Sequence, residues 1–63
     1  MKLDEVLKLL YKNEINVHLS SFWDGGWTAK IGDDLNGFEA EQSYYDLDSV
    51  TNWLERKLKE AGK

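Results

Sequence analysis

Leu3, Val6, Leu7 and Leu10 recur at helical spacing with Lys8 and Lys12 on the other side, which predicts an amphipathic helix over residues 3–12 that closes near Asn13. The period then shortens. Ile15, Val17, Leu19, Ser21 and Trp23 alternate with Asn16, His18, Ser20 and Phe22, as a half-buried strand over 15–23 requires. Trp27, Ala29 and Ile31 alternate with Thr28 and Lys30 in a second strand, 27–32. Phe38, Ala40 and Gln42 alternate with Glu39 and Glu41 in a third, 37–42. After Tyr44-Tyr45, Asp46 is placed to cap a helix and Asp48 to favour its dipole. Leu47, Val50, Leu54, Leu58 and Ala61 form the apolar stripe of that helix, 47–61, which Gly62 is expected to end.

Register follows from parity. A three-residue loop, Asp24-Gly25-Gly26, with Gly26 left-handed, sets Trp23 opposite Trp27, Ser21 opposite Ala29 and Leu19 opposite Ile31, all on the core side. The two tryptophans are then expected to clamp the hairpin end. The second turn, Asp33-Asp34-Leu35-Asn36 before Gly37, is expected to set Ile31 opposite Phe38, Ala29 opposite Ala40, and Lys30 opposite Glu39 on the outer side. The predicted fold class is α+β: one small domain, α-β-β-β-α, with a three-stranded antiparallel sheet and both helices on one face. Trp53 flanks the helix stripe and is expected to pack on the first helix, against Tyr11.

Composition narrows the chemistry. The chain has 63 residues, no cysteine and one histidine, so disulfides, thiolate zinc sites and Cys/His nucleophile pairs are excluded. A chain this short has little room for a catalytic cavity, and its three tryptophans supply the area a minimal core needs. His18 and Ser20 sit two apart on a flat outer face without a third group, so no enzyme activity, catalytic residue or cofactor is expected. Asp33-Asp34-Leu35-Asn36-Gly37 does not have calcium-loop spacing, so no metal site is expected either. No apolar run reaches the length of a signal segment or a membrane span, and a cytoplasmic location is the default expectation.

Charge placement says more than the net value of −4. Between Glu14 and Asp48 lie eight acids (Glu14, Asp24, Asp33, Asp34, Glu39, Glu41, Asp46, Asp48) against Lys30, a net of −7. The first helix, with Lys2, Lys8 and Lys12 against Asp4 and Glu5, carries +1; the last, with Arg56, Lys57, Lys59 and Lys63 against Glu55 and Glu60, carries +2. An acidic middle repels phosphate and attracts basic surfaces.

The run D24-G25-G26-W27-T28-A29-K30-I31 resembles the Asp-Gly, aromatic-x-Ala strand of HicB-type antitoxin domains. D34-L35-N36-G37 is similar to their Asp-Leu-Pro-Gly turn, and L47-D48-S49-V50 occupies the place of their Leu-Glu-Glu-Ala helix start. The resemblance spans the three strands and the last helix and implies an antitoxin-like, partner-neutralising role. The turn proline is absent, and an extra helix precedes the strands. The full α-β-β-β-α order resembles double-stranded-RNA-binding domains. Where that family carries a basic cluster at the start of its last helix, this chain has Asp46, Asp48 and Ser49.

The functional expectation is a non-enzymatic, acidic protein-interaction module that binds a basic site on a partner protein through the open sheet face. Its contact residues are expected to be Phe22, Lys30, Glu39, Glu41, Tyr44, Tyr45, Asp33 and Asp34. One of Tyr44 and Tyr45 must be accessible, because neighbours in an extended chain point to opposite sides. A homodimer through a sheet edge is a further expectation, and membrane binding is not expected. The alternative is a nucleic-acid-binding module that uses Lys8, Lys12, Arg56, Lys57 and Lys59 on the helix side.

Overall fold

A computed structural model of the chain describes residues 1–62; Lys63, counted above in the basic end, lies outside them. The elements run α1 (Leu3–Lys12), β1 (Val17–Phe22), β2 (Gly26–Asp33), β3 (Gly37–Tyr44) and α2 (Leu47–Gly62). This is the predicted α-β-β-β-α order. The strands form one antiparallel sheet in the order β1-β2-β3.

Each helix is bounded by local hydrogen bonds. At the start of α1 the Glu5 carboxylate accepts the Lys2 backbone N–H at 2.9 Å, one half of a capping box. At its end the Ile15 N–H reaches the Leu10 carbonyl at 2.9 Å and the Glu14 N–H reaches the Tyr11 carbonyl at 3.1 Å. That pair of bonds is a Schellman closure, and it forces Glu14 to φ 61°, the left-handed conformation that glycine adopts without cost. Replacing Glu14 by Gly should therefore raise stability by about 1 kcal/mol. In a domain of this size that corresponds to about 4–8 °C in Tm, readable by calorimetry. An unchanged or lower Tm would mean that the closure is not formed in solution.

Both helices pack on the same side of the sheet. Val6 and Leu10 from α1, Ala29 and Ile31 from β2, and Val50, Trp53, Leu54 and Leu58 from α2 make one buried cluster. Leu3, Leu7, Ile15, Val17, Leu19, Trp27, Ala40, Tyr44 and Leu47 pack around it. The strand residues in this set all lie on one face. The molecule measures 34 × 28 × 15 Å, and the short dimension fits a single layer of helices on a single sheet. Thr51, buried within α2, satisfies its hydroxyl on the Leu47 carbonyl at 2.9 Å. Trp53 belongs to the core as expected, but its predicted neighbour Tyr11 is exposed; the Lys57 ammonium lies 5.4 Å from the Trp53 ring centroid instead. Ala61, read as part of the apolar stripe, is exposed, and α2 runs through Gly62 rather than ending before it.

Two register details differ from expectation. β1 ends at Phe22, which pairs with Gly26, so the three-residue loop is Trp23-Asp24-Gly25 rather than Asp24-Gly25-Gly26. Leu19 faces Ala29 and Ser21 faces Trp27. The offset is two residues, which leaves every side chain on its predicted face. Trp23 alone changes fate: it leaves the strand, is 99% exposed and does not clamp Trp27. Gly26 is left-handed as predicted, at φ 91°.

The second difference is a β-bulge at Ile31/Gly32. Ile31 pairs with Ala40 and Lys30 with Glu41, whereas Gly32 pairs with Phe38 and Asp33 with Gly37. The extra residue on β3 is Glu39. Inserting one residue inverts the faces on either side of it, so Phe38 turns outward rather than facing Ile31 in the core. Lys30 consequently meets Glu41 and not Glu39.

Candidate functional site

With the helices on one side, the opposite face of the sheet is left uncovered. Its rows are His18, Ser20 and Phe22 on β1, Thr28 and Lys30 on β2, and Phe38, Glu41 and Ser43 on β3. Short-range contacts knit this face together. The Phe38 ring stands edge-on to the His18 imidazole, with centroids 5.1 Å apart and planes at 89°. The Lys30 ammonium lies 5.1 Å from the Phe38 centroid and 3.9 Å from the Glu41 carboxylate. Thr28 and Ser43 share a hydroxyl–hydroxyl hydrogen bond of 2.8 Å across the strands.

Three exposed rings stand near the β1–β2 hairpin, whereas Tyr11 is exposed on α1 and Phe38 lies toward the other end of the sheet. Phe22 is 56% exposed and Trp23 next to it is wholly so. Tyr45 is 88% exposed, and its Cα lies 2.8 Å from where a Gly26 Cβ would stand. Gly26 faces Phe22 across the ladder, so Phe22 and Tyr45 flank a position without a side chain. Tyr44 points inward to the core cluster, so the accessible member of the Tyr44/Tyr45 pair is Tyr45.

Of the predicted contact residues, the structure brings Phe22, Lys30 and Glu41 onto one face, with Tyr45 at its margin. It does not bring the others there. Tyr44 packs inward. Glu39, as the bulge residue, lies beside Ile31, Ala40, Lys57 and Ala61, at the rim of the helix-covered side. Asp33 is occupied in the β2–β3 turn, where it accepts the Asn36 backbone N–H at 2.6 Å and the Asn16 side-chain amide at 2.7 Å. Asp34 follows in the same exposed turn. The carboxylates therefore sit chiefly at the two ends of the sheet: Asp24, Asp46 and Asp48 near the hairpin, and Glu14, Asp33 and Asp34 at the opposite end. Phe38 is a face residue that parity assigned to the core. Gly32, a glycine inside a strand, was the sequence signal for the bulge that turns it outward.

Hydrogen bonding to the ionised form holds two of these acids below the ordinary carboxylate value of 3.8. For Asp33 the main cause is the Asn36 backbone N–H, followed by the Asn36 and Asn16 amides. For Asp46 it is the Ser49 hydroxyl at 2.9 Å and then the Ser49 backbone N–H at 2.8 Å, the N-cap bonds of α2. A carboxylate with a lowered folded value stabilises the fold fully above its unfolded value and loses that contribution as the pH falls through the folded one. Stability should thus decline on acidification from about pH 4 downward. The double variant Asp33→Asn/Asp46→Asn keeps an oxygen acceptor at both sites and should show a shallower acid limb in Tm against pH. An unaltered limb would place the acid sensitivity on other groups.

On the helix side the basic residues are partly neutralised. Lys57 pairs with Glu60 at 3.4 Å, Lys59 with Glu55 at 3.6 Å, and the N-terminal ammonium with Glu55 at 3.4 Å. Among the described residues no helix is long and apolar enough to cross a membrane. Comparison of the chain with protein-family models, with curated proteins and with solved structures finds no match.

Proposed function

We propose that this domain is a non-enzymatic protein-interaction module that engages a basic partner through the open face of its sheet. The observation that carries the reading is the uncovered face itself: Phe22 and Phe38 lie on it, and Trp23 and Tyr45 stand at its hairpin margin. Phe22 at 56%, Trp23 at 99% and Tyr45 at 88% exposure leave rings in water at one end of the sheet, area that a partner can bury. Acids at both ends of the sheet steer a positively charged partner, and the rings are desolvated at contact. Antitoxin-like neutralisation and imitation of nucleic-acid charge by an inhibitor are two forms of this mechanism. The ion pairs of Lys57 and Lys59 weigh against the alternative, nucleic-acid binding through the helix side.

The test is affinity capture from the source organism with three baits: the native chain, Phe22→Ser/Tyr45→Ser on the open side, and Lys8→Ser/Lys12→Ser on the helix side. The expected result is a basic protein held by the native bait and the helix-side variant and lost with the open-side variant. Capture indifferent to Phe22 and Tyr45, or tight binding to generic duplex that weakens steeply with salt, would overturn the reading.

A further inference from the structure

We infer that β1 is a pairing edge for a second copy of this chain, which would join two sheets into one of six strands. The inference is independent of the basic partner proposed above. The backbone decides which groups are free. The Gly32 N–H donates to the Asn16 carbonyl at 2.8 Å, so in this antiparallel register the pairs 16/32, 18/30, 20/28 and 22/26 are the hydrogen-bonded ones. Val17, Leu19 and Ser21 therefore turn their N–H and C=O groups away from β2, toward the open edge.

The two edges of the sheet are not alike. β3 carries the bulge and two charged residues, Glu39 and Glu41, devices that discourage strand addition. β1, with the sequence V-H-L-S-S-F, has no lysine, carboxylate, proline, glycine or bulge. It is a regular six-residue template.

Charge and parity select the occupant. Two copies at −4 repel over most of their surfaces, but β1 carries no formal charge, so self-pairing there sets no like charges opposite one another. The free groups are all on odd residues, so an antiparallel two-fold pairing sets Leu19 against Leu19 of the second copy and Val17 against Ser21, with His18 against Ser20 on the other face. Core-facing parity is preserved, so all four helices fall on one side and the half-buried Val17 and Leu19 become interior. A six-residue edge buries less than the roughly 1,200 Å² of stable interfaces, so the dimer forms reversibly at high micromolar concentration and above.

Sedimentation equilibrium and amide exchange on the full chain, from about 10 μM to 1 mM, test this. The expected result is a monomer–dimer equilibrium in which the Val17, Leu19 and Ser21 amides gain protection with concentration while those of His18 and Ser20 stay protected throughout. Ser21→Pro removes an N–H that β2 does not use, and Ser21→Lys places a charge at an exposed edge position; each should leave the native circular dichroism and abolish the dimer. A chain that stays monomeric to about 1 mM would overturn the inference. So would a dimer that survives Ser21→Lys, or edge amides whose exchange ignores concentration.

Discussion

Gly32→Ala should leave the domain largely unfolded at room temperature. Gly32 sits at φ 122°, where residues with a Cβ are strained by about 1–3 kcal/mol. A Cβ there would also stand 2.4 Å from the Gly37 carbonyl oxygen and 2.8 Å from the Phe38 Cα. Both obstacles are backbone, so no side-chain rotation relieves them; β3 would have to leave β2 at the bulge. At about 0.05–0.15 kcal/mol per residue the whole domain commands only about 3–9 kcal/mol, which strain and clash together can consume. Gly25→Ala is the control. Its Cβ would meet only the Phe22 Cβ at 3.7 Å, an ordinary contact, and its stability should match the native chain in urea unfolding. A Gly32→Ala variant as stable as native would remove the bulge from the account, and with it the outward placement of Phe38.

Leu54→Ala should cost about 2–5 kcal/mol, whereas Trp23→Ala should change stability by less than about 0.5 kcal/mol, although it deletes the larger side chain. Leu54 is fully buried in the shared cluster where α1, β2 and α2 meet, so truncation leaves a cavity in the core. Trp23 touches water on nearly all its surface. Urea denaturation of both variants reads the contrast directly. Near-equal losses would mean that Trp23 is folded onto the hairpin in solution, as the sequence pattern alone suggests.

Apolar spacing located both helices and all three strands because the core they build is one-sided, and a one-sided core writes its period directly into the chain. Parity placed Leu19, Ala29 and Ile31 correctly, but it cannot distinguish registers offset by two residues, since both present the same faces. The position of Trp23 depended on that offset, which the turn decides, where the Gly25 N–H donates to the Phe22 carbonyl at 3.0 Å and Gly26 is left-handed. Phe38 was misplaced for a different reason. Period-2 reading assigns an apolar residue to the core, and a bulge contributes no apolar residue of its own, so Glu39 was read as the next tooth of the alternation. The acids were countable from sequence, but their gathering was not. Asp33 serves its turn, Glu39 follows the bulge, and Glu41 pairs with Lys30, so the acidic middle of the chain becomes acidic ends of a sheet whose open face carries Phe22 and Phe38 among polar side chains.

The open aromatic face rests on Phe38, next to the bulge residue Glu39, pointing away from the helices, and nuclear Overhauser contacts of its ring measure that directly. Cross-peaks from Phe38 to the His18 imidazole and the Lys30 side chain, without any to Leu54 or Leu58, are the result predicted. Cross-peaks from Phe38 to Ile31, Leu54 or Leu58 would place the ring beneath the helices and contradict the open aromatic face.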